Sequence, residues 1–113
     1  MNILSDVKAI ADALELPVET GNFSKKPPDT YLVIVPMTEE YDCYADNLPG
    51  IDIQEARLSL FSKGNYKTIK NRLLKAFLDA GLTITGRQYI GYETETGYYH
   101  FNIDVAQFYE LED

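Results

Sequence analysis

Tyr66-Lys67-Thr68-Ile69-Lys70-Asn71-Arg72-Leu73-Leu74-Lys75-Ala76-Phe77-Leu78-Asp79-Ala80-Gly81 decides the fold. Tyr66, Ile69, Leu73, Phe77 and Ala80 recur every three or four residues, which places them on one stripe of a helix. Gly64-Asn65 breaks the chain before it and supplies an N-cap, and Gly81 stands where a left-handed C-terminal residue belongs. A helix with a single apolar stripe needs a second layer to cover it, and the flanking sequence offers one. Upstream, Ala56, Leu58 and Leu60 alternate with Arg57 and Ser59, the pattern of a sheet with one buried face. Downstream, two strands are predicted at about 82–92 and 98–109, joined by the turn Thr94-Glu95-Thr96-Gly97. In the second of these, Tyr99, Phe101, Ile103 and Val105 face inward, and His100, Asn102 and Asp104 outward.

The N-terminal part adds a second helix. Ile3, Val7, Ile10 and Leu14 are helically spaced, Asn2 is a fair N-cap and Pro17 forbids continuation, which predicts a helix over about 3–15. The piece that follows, Leu16 to Phe23, is suited at most to a short edge strand, because Pro17 cannot donate within a ladder. Residues 24–29 read as a surface loop. Tyr31-Leu32-Val33-Ile34-Val35 is a β-rich run that Pro36 is expected to end, apolar enough to be covered on both faces or paired inside an oligomer. Residues 37–50 read as a long acidic and aromatic loop, and its stretch from Glu39 to Asn47 as mobile until a partner orders it. The expected fold is therefore one α+β domain spanning 1–113, in the order α-β-β-α-β-β. A twisted, mostly antiparallel sheet of about four strands carries both helices on one face.

At 113 residues a second domain would be too small to bury itself. No apolar run approaches the ~20 residues of a membrane helix, and the start Met1-Asn2-Ile3-Leu4-Ser5-Asp6 has neither the basic region nor the cleavage site of a secretory signal. One cysteine, Cys43, allows no internal disulfide, which suits a reducing cytoplasm. The net charge of −8 repels phosphate backbones, so specific nucleic-acid binding is not expected. The charge is uneven. Lys63, Lys67, Lys70, Arg72 and Lys75 fall within thirteen residues that hold no acid, whereas the other hundred hold five basic and eighteen acidic residues. Such a run is either a solvated helix face or a basic patch that meets an acidic one on a neighbouring molecule.

Catalytic signatures fail one by one. Cys43 and His100 lack a third, orienting group and any nucleophile motif. One cysteine and one histidine make a poor zinc set. The acidic group Glu39, Glu40, Asp42 and Asp46 lacks the glycine and terminal glutamate of a calcium loop. In Ser62-Lys63-Gly64-Asn65-Tyr66-Lys67-Thr68 the glycine that should precede the lysine of a phosphate loop is Tyr66. No catalytic residue, cofactor or metal is therefore expected. Nine tyrosines are many for this length, and Tyr41, Tyr44, Tyr89, Tyr92 and Tyr98 are expected on loops or outward faces, where tyrosine often serves docking.

The helix ending Leu16-Pro17-Val18, then Gly21 and Phe23, Pro28 with the strand Tyr31–Val35, the segment Tyr44-Ala45-Asp46, and Leu58-Ser59-Leu60-Phe61-Ser62-Lys63 leading into helix and hairpin have a familiar layout. The chain resembles, to about residue 109, the tail terminator (tail completion, head–tail joining) proteins of long-tailed phages and prophages. That resemblance implies a non-enzymatic virion component. It would form a homo-oligomeric ring, typically a hexamer, that caps the tail tube and joins the head–tail connector, first in the host cytoplasm and then in the virion. The residues expected at its interfaces are Glu39, Glu40, Tyr41, Asp42 and Tyr44 on the acidic segment, Lys67, Lys70 and Lys75 on the basic helix, and Glu93 and Glu95 at the hairpin. The alternative is a small acidic adaptor or inhibitor that binds a single protein partner.

Overall fold

A computed structural model describes residues 2–20, 27–42 and 51–110. Cys43, Tyr44 and the rest of 43–50, with residues 21–26, lie outside the described residues, and so do the side chains of 38–42, Ile51 and Glu110. Helix α1 (Ile3–Ala13) starts at Asn2, whose side chain accepts from the Ser5 N–H at 2.8 Å, and buries Ile3, Val7 and Ala11. It stops two residues short of expectation. Leu14 caps it and Glu15 turns left-handed at φ 61°, so the chain has left the helix before Pro17 acts. Helix α2 (Tyr66–Asp79) begins at the Asn65 cap, buries Leu73 and Phe77, and passes through Gly81 at φ 84°.

Five strands form one mixed sheet: β1 (Val18–Thr20), β2 (Thr30–Asp42), β3 (Ile51–Ser62), β4 (Thr83–Glu93) and β5 (Tyr98–Glu110). Their spatial order is β1-β2-β3-β5-β4; β1 runs parallel to β2, and every other pair is antiparallel. The architecture is α+β as expected, with one strand more than the four-strand layout: the short piece after Pro17 pairs with Leu32–Ile34 and makes the element order α-β-β-β-α-β-β.

The expectation that Pro36 ends its strand is wrong. β2 continues to Asp42 with a register shift between Pro36 and Glu39, and Glu39–Asp42 pair with Ile51–Gln54. β1 has already stopped at Leu32–Ile34, so Pro36 lies on an open edge, where a missing N–H leaves no ladder bond unmade. The first part of the presumed mobile loop is thus strand.

Both helices cover one face. Leu32, Ile34, Ala56, Leu58, Leu60, Phe101, Ile103 and Val105 from the strands meet Val7, Ala11, Leu73 and Phe77 from the helices in one buried cluster. The sheet narrows at one end. β4 begins opposite Ala106, leaving β2, β3 and β5 to run on as a three-stranded extension to the row Asp42, Ile51, Glu110. The N-terminus of α1 braces this extension: Gln54 Oε1 accepts from the Ile3 N–H at 2.8 Å, and the Tyr109 hydroxyl donates to Asp6. The molecule measures 54 × 27 × 24 Å.

Candidate assembly interface

The sheet face opposite the helices has a layered chemistry. At the wide end lies an aromatic pile. Tyr31 stacks on Phe61 at 4.8 Å, Phe61 on His100 at 4.3 Å, and Tyr98 meets Tyr31 edge-on at 5.3 Å. The Tyr98 hydroxyl donates to the Pro28 carbonyl at 2.7 Å, and Lys63 Nζ lies 5.0 Å from its ring. Tyr98, expected outward and exposed, is therefore buried, because the chain around Pro27–Pro28 reaches it from 70 residues away.

In the middle, Asn102 Oδ1 accepts from Ser59 Oγ and pairs with His100 Nε2, both at 2.9 Å, so His100 donates through Nε2. Asn102, read as outward, is only 9% exposed, and His100 is half-buried under the neighbouring rings rather than a free surface histidine. Burial pushes the His100 pKa down, and the Asn102 hydrogen bond opposes that only in part. Next to them the Arg57 guanidinium grips Asp104 with two bonds, at 2.9 and 3.1 Å, and that carboxylate raises the Arg57 pKa.

At the narrow end the face turns apolar. Val35, Met37 and Phe108 are 43%, 42% and 60% exposed, and Ile53 stands opposite Phe108. Strand alternation puts all of them on the helix-free side. Among the described residues no helix or loop covers them.

Around the apolar end the strands bring six acids together: Glu39, Glu40 and Asp42 from β2, Asp52 and Glu55 from β3, and Glu110 from β5. No Lys or Arg occupies 39–42, 51–55 or 106–110. The basic segment begins at the other end, where β3 runs into α2 with Lys63 and Lys67. From the Glu39–Gln54 row to Ser62 is eight residues, roughly 25 Å along the strands. That is well beyond the ~10 Å screening length at ordinary salt. Lys63 and Lys67 therefore stand too far from the acidic extension to neutralise it, whereas the later residues of α2, Lys75 among them, return along the sheet towards Gly81, whose carbonyl Gln107 holds.

The predicted interface residues have these fates. Glu39, Glu40, Tyr41 and Asp42 lie on the strand extension, while Tyr44 is outside the described residues. Lys67 lines an open depression of about 320 Å³ with Gly64, Asn65, Tyr66 and Tyr99. Lys70 Nζ sits 5.1 Å from the Phe101 ring, and Lys75 pairs with Asp79 at 3.1 Å on the solvent side of α2. Glu93 accepts from Thr96 in the hairpin turn, and Glu95 is exposed beside it. Tyr89 and Tyr92 are about half exposed, as expected, and join Tyr66 and Tyr99 in a second aromatic group on the helix side. The sequence reading missed Val35, Met37 and Phe108. The alternation of the last strand, carried three residues beyond Val105, already sets Phe108 on the uncovered face.

Among the described residues, no group of three or more His, Cys, Asp or Glu side chains could hold a metal, and no buried side-chain polar atom lacks a partner. Among them, too, no helix is long and apolar enough to cross a membrane. No known protein family's sequence profile matches the chain, and no curated protein matches it either.

Proposed function

We propose that this protein is a non-enzymatic structural component that assembles head-to-tail into a homo-oligomeric ring. In that role it is a tail terminator or head–tail joining protein of a phage or prophage. The ring caps the tail tube and meets the head–tail connector, in the host cytoplasm during assembly and in the virion neck afterwards. The observation that carries the reading is the distance between the acids of the strand extension and Lys63 and Lys67, which stand at the far end of an elongated domain. Two unlike patches that complement each other make a heterologous contact, which closes into a ring when the rotation between copies permits. The uncovered apolar residues on the sheet supply surface for the contact to bury.

The test is electron microscopy of tail tubes assembled with and without this protein. Tubes of fixed length with a ring at one end support the reading, and tubes indifferent to the protein refute it. The acidic end also favours a second reading, an adaptor that engages one basic partner. A stable one-to-one complex of monomeric protein with such a partner would point there instead.

A further inference from the structure

We propose that Phe108 of one copy is the anchor of the self-contact and seats in the depression at the start of α2 of the next copy. The proposal rests on the reading above that the chain assembles with itself, and it names the two surfaces that meet.

Phe108 is the most exposed aromatic side chain among the described residues, at 60%. Along β5 the pairing with β4 stops at Ala106, yet Gln107 ties the strand down beyond it, accepting from the Phe108 N–H at 3.0 Å and donating to the Gly81 carbonyl at 3.3 Å. A large ring on fixed backbone loses little freedom on docking, which is what a binding anchor needs.

The depression has the matching form. The Tyr66 and Tyr99 rings, 5.2 Å apart, provide its apolar side, Gly64 leaves its floor without a side chain, and Lys67 stands at its margin. Its volume of about 320 Å³ exceeds the ~150 Å³ that accommodates a benzene ring in a protein interior. An offset stack of Phe108 on either tyrosine is the geometry aromatic pairs favour.

Charge selects a second copy of this chain as the occupant. Phe108 lies two residues before Glu110 in β5, and Glu55 stands two residues along the same face from its partner Ile53, opposite Ala106. The depression is lined by Lys67 and lies in the only stretch of the sequence where five basic residues occur without an acid. Seating Phe108 brings Glu55 towards Lys67, so that each charged end covers the other. Because the two surfaces lie at opposite ends, every copy keeps one of each free for the next.

Sedimentation velocity on the full chain, over a concentration series in low and high salt, tests this with four variants. Phe108→Ser should weaken association roughly 30-fold or more, as loss of a hot-spot residue does. Gly64→Leu should do the same from the other side. Nothing lies within 4 Å of a Cβ placed at Gly64, so the leucine fits the fold while filling the depression. Glu55→Lys and Lys67→Glu should each weaken association, more so in low salt, and the double exchange should restore most of it. Circular dichroism melts establish that each variant is folded. Association by the wild type that Phe108→Ser and Gly64→Leu both leave unchanged would overturn the docking while leaving the ring reading intact. A wild type that stays monomeric throughout would also overturn the docking, and the tail-tube experiment then decides the ring reading by itself.

Discussion

Replacing Phe77 with alanine probes the junction of α2 with the sheet. Phe77 is fully buried, and the next residue, Leu78, is 61% exposed. Truncation at 77 deletes roughly 150 Å² of buried apolar surface, about 4 kcal/mol at ~25 cal/mol/Å². Cavity formation keeps the total within the 3–5 kcal/mol typical of buried Phe→Ala changes. For a domain of this size each kcal/mol lowers the melting temperature by roughly 4 °C, so a drop of roughly 12–20 °C is expected. Leu78→Ala removes a side chain that lies mostly in water and should stay within about 0.5 kcal/mol of wild type. Urea unfolding followed by circular dichroism measures both, with the midpoint moving at constant slope. Equal losses from the two variants, or a larger one from Leu78→Ala, would mean that α2 is rotated by about one residue from the packing described. That would also misplace Tyr66 and Lys67 at the depression.

Three further outcomes are expected. His100 is held neutral by burial, with its folded pKa below the ordinary 6.5, so on acidification from about pH 6.5 the unfolded chain binds the proton first and stability falls. His100→Gln should remove that part of the slope in parallel urea titrations, and identical slopes would contradict the burial of the ring. A Cβ at Gly86 would stand 3.1 Å from Asp104 Oδ2, inside the grip of Arg57; Gly86→Ala should cost roughly 1 kcal/mol in wild type and little in an Asp104→Ala background, and a double-mutant cycle without coupling would refute the contact. Glu15 holds φ 61° at the end of α1, so Glu15→Gly should stabilise by about 0.5–1 kcal/mol in thermal melts, and destabilisation would place that residue in a different conformation.

The elements fixed by local chemistry were legible. Asn65 and Gly81 marked the ends of α2, and the Phe101, Ile103, Val105 alternation marked the buried face of β5, because caps and periodicity depend on near neighbours in the chain. What escaped the sequence depends on distant partners. Pro36 is a reliable strand-ender only inside a ladder, and whether its edge is open is decided by where β1 stops. Tyr98 and Asn102 alternate correctly as outward residues, yet Pro28 and the Phe61 stack enclose them. The acidic run after Pro36 looked like a loop because nothing in it reveals that β3 and β5 reach just as far. At the candidate interface, the sequence showed which charges are complementary, but the distance of Lys63 and Lys67 from the acids required the register of β2, β3 and β5.

The position of β5 has a consequence for biosynthesis. It is the last of the described elements to leave the ribosome, yet it lies inside the sheet between β3 and β4. Until Phe101, Ile103 and Val105 emerge, one edge of β3 is unpaired and the stripe of α2 has only part of its sheet to cover. Translation alone therefore leaves the core open after β2 and β3 have paired; closure waits for a few late residues, which join β3 to β4 and complete the floor under both helices together. A chain cut before residue 98 would present bare strand edges to its neighbours, the condition that favours aggregation and removal by proteases. Because Phe108 lies near the end of that closing strand, the surface proposed for assembly becomes available only on a chain that has completed its fold.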